Sequence, residues 1–199
     1  MPTFRGTALT HEAAEDLFIG WLPGGQFSPT EPLPYSWLVA AGKNPAYDFF
    51  PAQHQLFYRG KGKGVMWYEP VFKVVTLDGE AVWRRRRYRV RRGDAPGSFH
   101  FSVLDNGVTS NEFWRILDCA DDLEWCLFYY SGAAATAGMS YSGAVLATHT
   151  GAMPSGAEAL TRLEAALDGA GIKTWELSMV DNSPGALAGA PLALATSGA

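Results

Sequence analysis

Hydrophobic residues recur in short runs between residues 35 and 149, and a cluster of turn-forming residues ends nearly every run. Runs of this kind, bounded by Gly, Asn or Asp, are typical of β-strands. The Asp78-Gly79 pair is a strong hairpin signal. The pattern predicts about eight strands, within the runs Ser36–Ala41, Gln53–Arg59, Val65–Tyr68, Val71–Leu77, Ala81–Arg91, Ser98–Leu104, Glu112–Cys119, Trp125–Tyr130 and Ser140–His149.

The connections between these runs are short, so we expect each strand to pair with the next one along the chain. Such a meander favours a mainly β protein, an up-and-down barrel. A barrel of about eight strands has room inside for side chains or one small ligand.

One helix is predicted after the strands, over about residues 155–169. Ser155 and Glu158 have the spacing of a capping box, and leucines follow at helical intervals. Ile172 to Val180 then has the character of a short closing strand. A meander barrel followed by a helix and a strand is the order of elements in lipocalins.

Outside the barrel, predicted over 35–182, the chain has two less hydrophobic ends. Residues 1–34 form an N-terminal extension with weak helical spacing over His11–Ile19 and a Pro- and Gly-rich loop over Pro23–Pro34. Residues 183–199 consist almost wholly of Ala, Gly, Leu, Pro and Ser. Such a segment buries little apolar surface, so we expect a flexible tail.

The composition, 47% hydrophobic and 18% charged residues, suits a globular protein. The first 20 residues contain Glu12, Glu15 and Asp16, and they have no basic stretch followed by an apolar run. A secretory signal or a transit peptide is therefore not expected there. Either the protein stays where it is made, or this sequence begins after processing or on a fragment.

The two cysteines, Cys119 and Cys126, are too few for a metal set or a disulfide framework. They flank a predicted hairpin, so they could form a bridge across it. The alternative, two small buried apolar side chains, is the one we favour from the sequence. His54, His100 and His149 form no spaced ligand pair, so no metal site is expected.

Seven of the sixteen Lys and Arg residues lie between Ala81 and Arg92, although the net charge of the chain is −4. Consecutive arginines on a strand point to both faces, and four adjacent guanidinium groups cannot lie unpaired inside a barrel. The middle of this run is therefore expected at a rim, at an edge or against a partner. The acidic total charge and the lack of a nucleic-acid motif argue against nucleic acid. Anionic lipid, an acidic protein surface or plain solvent remain as the neighbours of Arg84–Arg92.

Several segments resemble the lipocalin domain of violaxanthin de-epoxidases. In that family a Trp strand leads into a Gly-x-Asn-Pro-x-aromatic-Asp segment, as residues 37–48 do here. Further similar segments follow in the family order, over about Trp37 to Asn182: Asp105-Asn106, Trp114-Arg115-Ile116-Leu117, Phe128-Tyr129-Tyr130-Ser131-Gly132, Tyr141-Ser142-Gly143-Ala144-Val145 and Asp181-Asn182.

This resemblance implies a barrel that holds a long carotenoid of the xanthophyll class. The enzymes of the family open a 5,6-epoxide with acid assistance, using ascorbate as co-substrate, in the thylakoid lumen of the chloroplast. The resemblance assigns the catalytic acid to Glu112 and its partner to Tyr130. It places Gln53, Asp48, Trp114 and Tyr141 against the substrate.

Three of these residues could instead have simple structural roles. Glu112 could be a solvated strand residue, although it shares a face with Trp114 because alternate strand residues do. Tyr130 could belong to the core with its hydroxyl bonded to backbone. For Asp48 we favour the organisation of a turn.

The sequence also departs from the family. Pro51, Ala52, Gln55 and Tyr58 stand where the family has an Asp, a Cys and two His. The acidic residue before Tyr141 and the family's Cys-rich and Glu-rich flanking domains have no counterpart here. Two functions are therefore expected as alternatives: an epoxide-opening enzyme, or a catalytically silent carotenoid-binding or structural subunit docked on a photosynthetic membrane complex.

Overall fold

Ten β-strands and three α-helices form the part of the chain that the computed structural model describes, which comprises residues 10–19, 37–44, 49–60, 64–105, 108–134 and 139–192. The strands are β1 Trp37–Lys43, β2 His54–Arg59, β3 Met66–Val75, β4 Ala81–Arg85, β5 Tyr88–Arg92, β6 Ser98–Asp105, β7 Val108–Cys119, β8 Trp125–Ala134, β9 Met139–Thr148 and β10 Ser178–Met179. The helices are α1 His11–Ile19, α2 Ala157–Gly169 and α3 Pro184–Leu187, with a 3₁₀ helix at Thr174–Glu176.

The sheet closes on itself because β1 pairs with both β2 and β9. Eight strands form the ring, in the order β1-β2-β3-β5-β6-β7-β8-β9, and every pairing is antiparallel. The two remaining strands add to the outside of the ring, β4 beside β3 and β10 beside β1. The predicted eight-stranded, lipocalin-like barrel with a C-terminal helix and a short closing strand is confirmed.

The two runs predicted on either side of Pro70 are one continuous strand, β3. Pro70 lies where the neighbour of β3 changes: β5 pairs up to Tyr68, and β4 pairs from Val71. Proline cannot donate to a ladder, so this change of partner is a position that tolerates it. The backbone N–H of Arg86 donates to the Pro70 carbonyl across the gap, at 3.3 Å.

The run Ala81–Arg91, predicted as one strand, is two strands that separate at Arg86-Arg87. The first, β4, leaves the ring as a ribbon with β3, and the second, β5, stays in it. The break places Arg85 and Arg87 on the outer surface, where both guanidinium groups bind the carboxylate of Glu69. The arginine run therefore lies at an edge of the sheet, as expected.

Glu69 is the centre of a buried polar cluster on the outside of the barrel. Its side chain is 1% exposed. Its carboxylate accepts hydrogen bonds from the Tyr58 hydroxyl and from Arg85 Nε. It also forms an ion pair with Arg87, whose Nε lies 3.2 Å from Glu69 Oε1. Burial and the adjacent carboxylate raise the pKa of Tyr58, so its hydroxyl stays a donor. The Arg87 guanidinium also lies 4.0 Å from the centre of the Trp67 ring, a cation–π distance.

The helix α1 covers one end of the barrel. Glu15, 1% exposed, forms ion pairs with Arg59 at the end of β2 and with Arg92 at the end of β5. Leu17 packs against the residues of the lumen. The β5–β6 and β7–β8 turns lie at this same end, whereas the strand ends Asp105, Val108, Ala134 and Met139 lie at the opposite end.

The helix α2 packs against the outer face of β8 and β9 through Leu163 and Leu167. Its N-cap is Gly156, without a side-chain hydrogen bond, so the predicted capping box at Ser155 is wrong. The predicted strand Ile172–Val180 is also wrong for most of its length. Only Ser178–Met179 is a strand, because a 3₁₀ turn occupies the residues before it.

The Ala-rich segment expected as a flexible tail begins with the short helix α3, which Ser183 caps. The segment crosses the outside of β3 and β4: Lys73 contacts the carbonyl of Ala186, and Arg85 Nη1 donates to the Pro191 carbonyl at 3.1 Å. Leu192 then packs against the apolar side chains around Tyr58. We call residues 184–192 the strap. The division of the chain into extension, barrel and tail stays a prediction.

Cys119 and Cys126 form a disulfide across the β7–β8 hairpin, with their Cα atoms 4.2 Å apart. The bridge was the alternative that the sequence alone did not favour. Both cysteines lie in the lumen core. Arg162 on α2 bonds to Asp118 and to the carbonyl of Cys119, so the helix is tied to the same hairpin.

The Glu69 cluster predicts a stability effect. Glu69→Gln keeps the shape of the side chain but removes the charge that two guanidinium groups face, and both arginines remain partly solvated. We expect the free energy of unfolding to fall by about 2 kcal/mol in urea titrations. Glu80→Gln, the same change at an exposed carboxylate before β4, is the control and should leave stability within about 0.5 kcal/mol. Equal losses in the two variants contradict the prediction.

The disulfide predicts a second effect. Cys119 and Cys126 are separated by 7 positions in the sequence. Closing such a short loop restricts the unfolded chain only modestly, by about 2 kcal/mol. The double variant Cys119→Ala/Cys126→Ala should lose this amount, measured by thermal and urea unfolding. A reducing agent should destabilise the unchanged protein by a similar amount and leave the double variant unaffected; sensitivity of the double variant would count against the bridge.

Candidate functional site

Aromatic side chains fill the lumen of the barrel. Three of the rings stack in a column, with the ring centres of Phe101 and Trp114 5.0 Å apart and those of Trp114 and Tyr130 5.4 Å apart. The other lumen aromatics are Trp37, Phe57, Tyr68, Tyr88, Phe99 and Phe128. The period of two along each strand produces this lining, since every second side chain points inward.

The free space that remains in the lumen is small. A cavity of about 30 Å³ lies at the centre of this column, which is enough for one or two water molecules. Both predicted catalytic residues line it, together with two of the predicted substrate contacts. The full lining is Asn44, Gln53, Gln55, Tyr68, Pro70, Phe72, Tyr88, Glu112, Trp114, Tyr130 and Val145.

Glu112 projects into the lumen from β7, on the same face as Trp114. Trp114 Nε1 donates to one carboxylate oxygen at 2.7 Å, and the Tyr141 hydroxyl donates to the other at 2.7 Å. Burial among the rings raises the pKa of Glu112, and these two hydrogen bonds oppose the rise without cancelling it. The result is a carboxyl group that retains its proton to a higher pH than a solvated glutamate does.

Two tyrosine–glycine pairs position the phenol groups around Glu112. Tyr141 lies directly across from Gly132, and Tyr130 directly across from Gly143. A Cβ atom on Gly132 would lie 2.5 Å from the Tyr141 hydroxyl, and one on Gly143 would lie 2.4 Å from the Tyr130 hydroxyl. Each glycine therefore provides the space for the opposite tyrosine ring.

The phenol hydrogen-bonded to Glu112 is that of Tyr141, which the resemblance placed against the substrate. Tyr130, expected as the partner of Glu112, donates its hydroxyl to the backbone carbonyl of Lys43 at 2.9 Å. Its ring lies 6.0 Å from that of Tyr141. The two tyrosines and the carboxyl group thus form one cluster, in which Tyr141 makes the hydrogen bond to Glu112.

Two glutamines complete the polar lining. Gln53, predicted as a substrate contact, donates from Nε2 to the carbonyl of Phe50 at 2.9 Å. Gln55, at a position where the family has a different residue, accepts from the Tyr68 hydroxyl inside the lumen. Neither Gln55 nor Tyr68 was predicted as a site residue, although Gln55 follows Gln53 by two positions and alternate strand residues share a face. Asp48, the remaining predicted site residue, lies outside the described residues.

The histidines do not belong to this site. His54 lies on the outer face beside Trp83, and burial lowers its pKa to about 4. His149 stacks on Trp37 with ring centres 5.6 Å apart. Within the residues described, no group of three or more His, Cys, Asp or Glu side chains could hold a metal ion. In the same residues, no helix combines the length and the apolar character needed to cross a bilayer.

The arrangement can supply a proton to a group bound in the lumen. Glu112 is a half-buried acid that two donors hold in the aromatic lumen. An acid with a raised pKa in such a place can assist the cleavage of a C–O bond, because the leaving oxygen must take up a proton.

Comparison with known proteins agrees with this architecture. The siderocalin Ex-FABP superposes with a TM-score of 0.51 at 8% sequence identity, covering 74% of this chain and 92% of that one. Insecticyanin from the tobacco hornworm Manduca sexta superposes with a TM-score of 0.57 at 12% identity, covering 77% of this chain and 80% of that one. At such identities the similarity shows the lipocalin fold alone. A search of curated protein sequences finds no match.

A family model described as the VDE lipocalin domain matches residues 26–182. The matched range contains all the described strands, the helix α2 and the Glu112 cluster. It covers well over half of the chain. This chain therefore belongs to the violaxanthin de-epoxidase family, as a lipocalin domain of that family.

Proposed function

We propose that this lipocalin binds a xanthophyll in its lumen and opens an epoxide on it with Glu112 as the acid. The supporting observation is the Glu112 carboxyl group, whose raised pKa and two hydrogen bonds hold it as an acid inside an aromatic lumen. Aromatic walls with a few fixed polar groups are the usual lining of a site for an apolar ligand.

In the proposed reaction Glu112 gives its proton to the epoxide oxygen as the first C–O bond breaks. Ascorbate then supplies two electrons and two protons and leaves as dehydroascorbate. The electrons and one of these protons release the oxygen as water and form a C=C bond, and the second proton returns to the carboxylate of Glu112. The Tyr141 hydroxyl donates a hydrogen bond to one oxygen of Glu112, so it holds the carboxylate in place after proton transfer. The family resemblance supports ascorbate as the co-substrate and the thylakoid lumen as the location.

The ligand must displace side chains to reach Glu112, because the cavity of about 30 Å³ is far smaller than a ligand pocket. Glu112 lies on the half of β7 that is farther from α1, so we expect the ligand to enter from the end of the barrel opposite α1. Tyr68 and Tyr88 line the cavity together with Gln53. Rotation of these aromatic side chains is the movement that binding requires.

A second function, a catalytically silent pigment-binding subunit, is favoured by the surface of β4 and β5. Arg84, Arg89 and Arg91 are exposed there, whereas Arg85, Arg87 and Arg92 bind carboxylates of this chain. The exposed arginines suit an anionic lipid surface or an acidic protein, each contributing about 1 kcal/mol near a charged membrane. Docking of this surface on a photosynthetic membrane complex belongs to this second proposal.

Catalysis by Glu112 predicts a loss of activity on substitution. The protein is incubated with violaxanthin, lipid and ascorbate from acidic to neutral pH, and the pigments are separated by chromatography. Glu112→Gln should reduce conversion by about 10² or more, because Gln has no proton to give. Tyr141→Phe should keep activity but move the pH profile upward, since it removes a hydrogen bond that favours the ionised carboxylate.

Glu124→Gln, the same change at an exposed carboxylate in the turn at the closed end, is the matched control and should convert pigment normally. No conversion by the unchanged protein at any pH rules out the enzymatic function. A pigment spectrum that shifts on addition of the protein, without conversion, supports the silent binding function instead.

The raised pKa of Glu112 predicts how stability depends on pH. Below its usual value of 4.5 the carboxyl group is protonated in both states. Between this value and the raised pKa the unfolded chain releases the proton and the folded chain keeps it, so stability falls as the pH rises. Glu112→Gln has no such proton, so its stability relative to the unchanged protein should increase through this window. Urea titrations over a pH series test this, and a relative stability that decreases with pH contradicts it.

A further inference from the structure

A second cavity, larger than that of the lumen, lies outside the barrel between α2 and the outer face of the wall. Its volume is about 250 Å³, more than the roughly 150 Å³ that suffices to hold a benzene molecule in an engineered protein cavity. We call it the helix crevice. The lumen side chains point away from it, because Leu127 and Leu146 alternate along β8 and β9 with Phe128 and Val145.

The walls of the helix crevice are mostly apolar. Leu127 and Leu146 from the sheet face Leu163 and Leu167 from α2, and all four side chains are buried. The polar members of the lining are Glu164 and Thr174. The complete lining is Ala41, Leu127, Leu146, Met153, Leu160, Leu163, Glu164, Leu167, Thr174, Leu177 and Met179.

The mouth of the crevice is apolar and exposed, which is unusual for a surface of a folded domain. Leu160 is 44% exposed and Met179 is 62% exposed, and both line the crevice. Trp175, 82% exposed, follows Thr174 in the 3₁₀ helix. Large exposed apolar side chains grouped around a concave apolar surface mark a site of interaction.

The charges near the mouth discriminate among ligands. The nearby cations bind carboxylates of this chain: Lys43 pairs with Glu176, and Lys173 pairs with Asp168. Glu164 is exposed at the lining itself. A carboxylate or phosphate head group would therefore meet a negative neighbour, whereas a hydroxyl or an amine could bond to Glu164.

We propose that the helix crevice binds the alkyl chain of a single amphiphile with a hydroxyl or amine head group. The chain occupies the space between α2 and the sheet, and the head group lies at Glu164. Leu160 and Met179 cover the chain at the mouth. This site is separate from the lumen and does not depend on the function proposed for it.

Calorimetric titration of the full chain with straight-chain alcohols, amines and carboxylates of increasing length tests the proposal. All compounds are used below their micelle concentrations. We expect one molecule per chain and an affinity that rises about fourfold per added methylene until the crevice is full. Amines should bind more tightly than alcohols of equal length, and alcohols more tightly than carboxylates, because Glu164 carries a negative charge. Glu164→Gln should abolish the preference for the amine over the alcohol.

Two matched changes separate the crevice from other apolar surfaces. Leu160→Gln/Met179→Gln removes the apolar mouth at exposed positions, so folding is preserved, and it should weaken binding about tenfold. Leu77→Gln/Leu104→Gln replaces two exposed leucines away from the crevice, one in the β3–β4 turn and one in β6, and should leave binding unchanged. Neither pair should alter the pigment spectrum measured with the lumen ligand.

Three results overturn the proposal: no saturable binding of any chain length, equal weakening in the two double variants, or tightest binding of the carboxylates. Binding of the protein to lipid vesicles is measured as well. Binding to zwitterionic vesicles without binding of monomeric amphiphiles means that the exposed side chains dock on a bilayer, and it also overturns the proposal of a single bound chain.

Discussion

Pairing of β1 with β9 is the constraint on which the rest of the structure depends. It converts a meander into a ring that has no free edge within itself, so the wall of the barrel separates its interior from water. Any polar side chain that points inward must then find its partner among other inward side chains or backbone groups of the barrel. Glu112 with Tyr141, and Gln55 with Tyr68, satisfy this requirement. The candidate site is thus a direct product of closure.

Two opposing demands shape the lumen. A stable small barrel needs its interior filled, and the aromatic column fills it almost completely. A ligand-binding barrel needs space, and here the larger space lies outside the wall, under α2. A carboxyl group kept in the filled interior loses hydration, which is the cause of its raised pKa. The same packing therefore limits the access of a ligand to Glu112 and raises the pKa of that residue. A ligand can reach the acid only if the aromatic rings move.

The order of elements and the closure into a barrel could be predicted because the signals are local: alternation along each strand and Gly, Asn or Asp at each turn. The break between β4 and β5 at Arg86-Arg87 could not be predicted, since the arginines beside it bind Glu69, a residue of another strand. The contact between Tyr141 and Glu112 also depends on a cross-strand register, although Gly132 and Gly143 indicate a close approach. The functional assignment of Glu112 came from family resemblance, and only its inward direction followed from the spacing. The contacts of the strap with β3 and β4 could not be predicted, because they run through its backbone carbonyls, which bind Lys73 and Arg85, and its composition has little apolar surface.

The strap has a consequence for how the molecule is made. Residues 184–192 leave the ribosome after all ten strands, yet one of their carbonyls completes the coordination of Arg85 beside Glu69. During synthesis the nascent barrel therefore exposes Trp83 and the neighbouring apolar side chains until this late segment arrives. That interval is the period in which a chaperone or a second nascent chain has access to this side of the protein.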